Sequence, residues 1–427
     1  MEQAKRVMIC LATGASIALV VYLLSQSILY YPFVLVQRVV DDSHFSRRFR
    51  LTEVSAVVDD RIVIVDVDDA TLRRLGNQWR YWPRRHFANV IGALSRDGAR
   101  LVFLDILFTE GGNTRDNQAL ADSARSAGNV IAGYYVNLDW QSRYRHPENT
   151  VRRENFLDPG EDSAEQVEFL ASDRVTFSYR ELVRASAEVG YANYQPDFDG
   201  VLRHVPLFLE YQQWTIPSAS LQVWLRLGGM HYSAARIGRN GVAVGNARIP
   251  ADHHSFMRIN YRGLKNAYQW VSFVDVLNGM VPPGTFAGKI VMIGSSSERL
   301  GDIKRIPGGR LIPGVEVHAA ALSTMLSESY LGTLPAYLLF LLNLFLGALA
   351  GVLFRFTNPL RGGLMLVILI PLMLYAAAVF CFTQCNLLLN TTIPTLSILG
   401  TYLFVAFYLY CRRNAGADAA GPSCQAP

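Results

Sequence analysis

The nine residues RIVIVDVDD (61–69) decide the fold. An unbroken apolar run that ends in carboxylates suits a strand buried on both faces, and such strands belong to parallel sheets covered by helices. Immediately downstream, WPRRHFANVIGALSRDGA (82–99) puts Pro83 in a first helical turn. It repeats Phe87, Val90, Ile91 and Leu94 at helical spacing and stops at Gly98. RLVFLDILF (100–108) is a second buried strand, DNQALADSARSAG (116–128) a helix and NVIAGYYV (129–136) a third strand. Strand and helix alternate as parallel βαβ units do.

Farther along, residues 140–175 are polar and aperiodic and read as an exposed insertion. GYANYQPDFDGVLRHVPLFLEY (190–211) reads as two strands about a tight turn with Asp199 and Gly200 at its apex. SASLQVWLRLG (218–228) is a helix. AVGNARI (243–249) and FMRINYRG (256–263) are short strands, and SFVDVLNG (272–279) is a helix with Ser272 and Asp275 in capping-box positions. GKIVMIGSSS (288–297) is the last clear strand, followed by a helix in GVEVHAAALSTMLSES (314–329). The fold class is therefore an α/β domain with a mixed, largely parallel sheet and helices on both faces.

Four apolar stretches add four transmembrane α-helices. Residues 7–37 and 329–354 carry no charge, and 50 uncharged residues lie between Arg361 and Arg412, broken at the polar TQCN (383–386). A helix of about 20 apolar residues crosses a bilayer. We place spans at 7–31, 335–354, 363–382 and 388–411, a domain over 32–334 between the first two, and terminal segments at 1–6 and 412–427. A cleaved signal peptide is the alternative for the first span, but the run is longer than a signal core and no A-x-A site precedes Tyr31. Lys5, Arg6, Arg355, Arg361, Arg412 and Arg413 flank the spans on one side, which sets that side in the cytoplasm. Residues 32–334 are then extracytoplasmic, and the chain is a multi-pass protein of a cytoplasmic (inner) membrane.

The net charge of +5 is largely that orientation signal, because 34 of the 40 Lys and Arg and 33 of the 35 Asp and Glu fall within the domain. A near-neutral domain argues against nucleic acid as a partner. All five cysteines (Cys10, Cys381, Cys385, Cys411 and Cys424) fall in or beside the spans, so the domain has neither a disulfide nor thiolate chemistry.

Three buried strands turn polar at their carboxyl ends. The first supplies Asp66, Asp68 and Asp69, the second Asp105, and the last Ser295, Ser296 and then Asp302. Ligands of open α/β sheets bind beyond those ends, so these seven residues define a candidate ligand-binding cleft. No catalytic set, metal site or cofactor motif emerges. Asp66, Asp68 and Asp105 have the oxygen chemistry of a hard-cation site, set against the ordinary role of Asp in caps and turns. His253 and His254 are neighbours on a strand and point apart. His318 suits a hydrogen-bonded place in the core. GSSSERLGD (294–302) lacks the Lys and spacing of a phosphate loop.

VIVDVDDATLRRLGNQWRYWPRRHFANVIGALSRDGARLVFLDILFTE, GYANYQPDFDGVLRHVPL, SFVDVLNG, FAGKIVMIGSSSERLGD and IPGVEVHAAALSTML occur in an order that resembles the CHASE2 domain, an extracytoplasmic sensory domain of bacterial receptors. The resemblance covers about residues 45–330. It implies one span before the domain and three short-looped spans after it, which lead in such receptors to a kinase or cyclase. Here CRRNAGADAAGPSCQAP (411–427) is small-residue-rich, expected to be disordered and too short for an output domain. The reading is a sensor of an unknown small-molecule or envelope stimulus, signalling through its spans to a separate effector or regulator. Gly347, Ala348, Ala350 and Gly351 permit close helix contact and suggest a homodimer. The alternatives are a non-catalytic envelope interaction subunit and a metal-assisted extracytoplasmic hydrolase.

Overall fold

A computed structural model describes residues 2–52, 58–76, 82–137, 170–172, 174–211, 214–238, 241–252, 254–263, 267–357 and 362–419. Most of the expected insertion at 140–175, and His253, lie outside them. The chain divides into two compact units, Phe45–Tyr330 and the combination of Met1–His44 with Leu331–Pro427.

The first unit is built on parallel strands β1 (Ile62–Asp66), β2 (Leu101–Leu104), β3 (Val130–Val136), β4 (Glu188–Tyr191), β5 (Gln269–Ser272) and β6 (Ile290–Gly294). Their order is β5-β1-β6-β2-β3-β4, with the short strand Val175–Thr176 antiparallel to the end of β3. All residues of β1, β2 and β6 are buried, which accounts for their unbroken apolar runs. Burying each large aliphatic residue contributes about 1.5–3 kcal/mol.

This unit's sheet is flanked, among the described residues, by the helices α1 (Asp69–Leu75), α2 (Arg85–Arg96), α3 (Thr114–Ala127), α4 (Arg180–Ala185), α5 (Ala219–Leu227), α6 (Phe273–Leu277) and α7 (Gly314–Leu326). α2 packs against α3 and α6, α3 packs against α4, and α5 packs against α7. The helix stripe read in the sequence is the buried one, with Phe87, Val90, Ile91 and Leu94 of α2 inside. α3 ends at Gly128 in the left-handed conformation, the usual helix stop.

Two local readings change. Gly200 has φ +77 and its N–H reaches Asp197 O at 2.9 Å, so the turn is present. The flanking strands, however, do not pair with each other. β4 joins the main sheet, and His204–Pro206 pairs with Phe256–Arg258. The turn is held instead by Arg203, 2% exposed, which donates to Asp197 Oδ2 at 2.8 Å and to both oxygens of Asp199 at 2.9 Å. Ser272 does stand at the N-cap of α6, but makes no cap bond there; its hydroxyl donates to Asp68 Oδ1 at 3.1 Å.

Among the described residues, the second unit contains four helices long and apolar enough to cross a membrane: Gln3–Ser25, Ala336–Phe356, Leu364–Cys385 and Thr392–Arg412. The first helix ends at Ser25, short of the sequence boundary at 31, and a second helix starts at Tyr30. Ser25 and Ser27 bond back to the carbonyls of Tyr22 and Leu23 at 2.7 and 2.8 Å, which favours a turn there. The last helix runs on to Ala419, through residues expected to be disordered; its final turns are rich in alanine, the best helix former.

Within this unit Gly347 and Gly351 of Ala336–Phe356 face the chain's own first helix, and Ala350 packs with Ile398 of the last one. A Cβ on Gly347 would lie 2.6 Å from Ala18 Cβ, and one on Gly351 would lie 2.3 Å from Cys10 O. Asn343, fully buried, donates to Ala18 O at 2.8 Å. The stripe read as a contact for a second copy is thus occupied within one chain.

Candidate functional site

Asp66, Gly294 and Asp105 form a row across the carboxyl ends of three adjacent strands. Asp66 is in register with Gly294, and Asp105 follows Leu104, the partner of Ile293. α7 sits on the middle of that row. A Cβ on Gly294 would lie 2.5 Å from Val315 Cβ, so glycine is what lets the helix approach so closely. Two sites result, one on each side of the first turns of α7.

The first is a cleft of about 690 Å³ lined by Asp66, Asp68, Asp69, Ser296 and Ser297, with Arg73, Trp270, Arg299 and Glu316 also on its wall. Asp66 accepts the Ser296 N–H at 2.7 Å and the Ser296 hydroxyl at 2.5 Å. Asp69 accepts the Ser297 hydroxyl at 2.7 Å, and the Ser295 hydroxyl donates to Val67 O at 2.7 Å. The loop after β6 is thereby stitched to the loop after β1, which fixes the polar rim. Asp68 is the N-cap of α1, accepting from Thr71 N at 2.7 Å. The ordinary capping role of Asp is therefore realised at a residue that also lines the cleft.

The second is a pocket of about 60 Å³ lined by Tyr135, Asn193, Tyr194, Asp302, Lys304 and His318. His318, 2% exposed, has Nε2 2.7 Å from Ala192 O and Nδ1 2.9 Å from the Tyr194 hydroxyl and 3.2 Å from Ser220 Oγ. A carbonyl only accepts, so Nε2 carries the proton and Nδ1 accepts from a hydroxyl. Asp105 Oδ1 lies 3.6 Å from Nε2, too far for a hydrogen bond. Burial drives the His318 imidazole down to about 4 and, joined by repulsion from Asp302, holds the Asp105 carboxyl well above the usual carboxylate range. Burial thus disfavours the charged form of each group, and their contact gains nothing from the geometry of an ion pair. Lys304 pairs with Asp302 at 2.9 Å beside them.

The seven residues picked from the sequence thus separate. Asp66, Asp68, Asp69 and Ser296 line the cleft, and Ser295 braces its rim. Asp302 lines the small pocket, and Asp105 contacts His318. Among the described residues, no group of three or more His, Cys, Asp or Glu is placed to hold a metal ion.

The match to the CHASE2 domain runs over residues 15–353, most of the chain. The chain belongs to the CHASE2 family. CHASE2 domains are extracellular sensory domains, not catalytic ones. The matched region begins inside the first apolar helix and ends inside Ala336–Phe356, so the family pattern extends beyond the motifs at 45–330 into the flanking helices. No curated protein and no solved structure matches the chain.

Several residues of the CHASE2 fold that shape these sites carry no local signal. Arg73 and Arg299 look like surface charges, and Trp270 lies in a short edge strand. Glu316 and His318 are two apart on α7, yet Glu316 lines the cleft and His318 the small pocket. Buried polar residues on an otherwise apolar helix are the one sequence signal that points to them.

Proposed function

We propose that this CHASE2 protein is a membrane-anchored sensor whose α/β unit takes a small ligand in the cleft at the ends of β1 and β6. The carrying observation is the cleft itself, about 690 Å³ and walled by fixed carboxylates, two arginines and an indole. That mixture of donors, acceptors and one aromatic face suits a small polar or zwitterionic ligand. Glu316 of α7 joins the wall, and α7 ends ten residues before the helix at Ala336, so an occupied cleft bears on the element that leads into the membrane helices. In this reading residues 32–334 lie outside a bacterial inner membrane and the signal passes to a separate effector, with the receptor paired as a homodimer.

The test is a thermal-shift screen of the full-length protein in detergent against small polar compounds. A ligand should raise Tm in the wild type and lose that effect in Asp69→Asn and Trp270→Ala. Ligands that stabilise all three proteins equally, or none that stabilises the wild type, would count against the cleft. Crosslinking in membranes, with identification of what is captured, tests the effector and the second copy.

A further inference from the structure

The ends of three membrane helices stand at one level. Ala18 O accepts from Asn343, and one turn on the Tyr22 ring meets Phe340 edge-on at 5.0 Å. In that register Ser25, the end of the first helix, is level with Ala336, the start of the next. A Cβ on Gly400 would lie 3.3 Å from Ile17 Cγ2, and farther down Thr13 and Ile9 share a cavity wall with Phe404 and Tyr408, so the first and last helices run antiparallel. Ser25 comes eight residues after Ile17 and Thr392 eight before Gly400, about 12 Å in each case, which puts Thr392 at the same level. Ala336–Phe356 is about 31 Å long, the thickness of a hydrocarbon core, so this level is the core's edge.

Gln37 sits at that edge. Its Oε1 accepts from Thr391 N and Thr392 N at 3.2 Å and from the Thr392 hydroxyl at 2.8 Å, and its Nε2 donates to Leu389 O at 3.2 Å. Gln37 follows Ser25 by twelve residues and would stand about 18 Å farther out had the first helix continued. The helix Tyr30–Thr52 instead runs along the span ends, with the His44 ring 5.3 Å from Tyr375 and 5.6 Å from Phe382 of Leu364–Cys385. Over this stretch its polarity is inverted. Asp41 and His44, on the face of Gln37, are 6% and 1% exposed, whereas Tyr31, Leu35, Val36 and Val39, turned away from it, are 68%, 44%, 51% and 71% exposed.

We propose that Tyr30–Val40 is a membrane-surface helix whose face of Tyr31, Leu35, Val36 and Val39 is sunk among the lipids of the leaflet that meets this end of the spans. Water draws polar side chains outward and apolar ones inward, and a lipid environment reverses that preference. Leu23 and Ile28, which precede the helix, are likewise exposed, so the apolar surface of the first span carries on into it. Tyr30 and Tyr31, packed edge to face, are of the aromatic type enriched at interfacial depth.

The full-length protein would be reconstituted in phosphatidylcholine nanodiscs with and without brominated acyl chains, and its tryptophan emission measured. All six tryptophans fall between Phe45 and Tyr330, so wild type supplies the baseline. The emission added by Leu35→Trp and by Val39→Trp should be largely lost in brominated lipid and left intact by aqueous iodide. Tyr31→Trp replaces one exposed aromatic by another and should behave alike, which keeps the test open if the other two variants do not fold. Phe345→Trp, exposed in the middle of Ala336–Phe356, is the membrane control. Lipid quenching in that control, with quenching by iodide alone in the helix variants, would place the face in water and overturn the proposal while leaving the spans in the membrane. Protection of the helix variants from both quenchers would also overturn it, by assigning the face to a second copy. No lipid quenching even in Phe345→Trp would overturn the membrane reading as a whole, and this inference with it.

Discussion

His318 Nε2 lies 3.6 Å from Asp105 Oδ1, with both side chains almost wholly buried and neither favoured in its charged form. The two respond to pH in opposite directions. His318, held down to about 4, contributes stability that is fully present above its ordinary value near 6.5 and is lost as pH falls through 4. That loss amounts to roughly 3 kcal/mol. Asp105, held up, contributes stability that is present below its ordinary value near 3.8 and is lost as pH rises through its folded value. His318→Gln should flatten the acid side of a Tm-against-pH curve for the full chain between pH 7 and 4. Asp105→Asn should remove the loss on the rising side. Curves for the two variants that run parallel to wild type would show that the pair does not titrate with folding. Tyr135, Tyr194, Asp302 and Lys304 face the pair and remain in both variants.

The place of α7 over the strand ends rests on Gly294. An alanine there would put its Cβ 2.5 Å from Val315 Cβ and 2.8 Å from its Cγ2, and a β-branched side chain has little rotamer freedom to give way. Overpacking of this kind costs about 1–3 kcal/mol. Gly294→Ala should lower Tm by several degrees, and Val315→Ala in the same chain should restore part of it. The check is a double-mutant cycle, in which additive losses would show that the two residues do not press on each other.

Much of this architecture was legible because it is local. The apolar runs of β1, β2 and β6, the helical stripe of α2 and the turn at Gly200 are each set within a few residues. The sheet order is not local: β6 comes last among these strands in the chain yet inserts between β1 and β2, and no periodicity announces it. For the same reason the polar strand ends were read as one candidate cleft, while their division between two pockets was not legible. Asp66 and Asp105 belong to one row, and only the seat of Val315 on Gly294 parts them. The Asp199–Gly200 turn was correct while its hairpin was not, because a turn is specified by its own residues and a strand partner by the whole chain.

Asp68 has two roles that substitution can separate. Asp68→Ala removes the acceptor for Thr71 N and for the Ser272 hydroxyl and should destabilise by about 1 kcal/mol. Asp68→Asn caps as well as Asp does, so it should hold wild-type Tm while removing a negative charge from the cleft wall. A thermal scan of the two variants checks the cap. If Asn proves as damaging as Ala, the charge itself is what α1 requires.

The Gly347–Gly351 stripe separates two uses of small residues in membrane helices. In a free helix interior, Gly→Ala stabilises by about 1 kcal/mol. Here Gly351→Ala would set a Cβ 2.3 Å from the backbone oxygen of Cys10, and Gly347→Ala would set one 2.6 Å from Ala18 Cβ, so both should destabilise. Gly92→Ala in α2 is the counterpart, because its Cβ would meet the flexible end of Arg96 at 3.3 Å and Ser123 Oγ at an ordinary 4.0 Å, and should be neutral or stabilising. Were the stripe an interface between two copies, the loss would depend on protein concentration by mass action. Since the contact lies within one chain, the drop in Tm for Gly351→Ala should be the same in dilute and concentrated detergent samples. A drop that vanishes in the dilute sample would assign the stripe to a second copy instead.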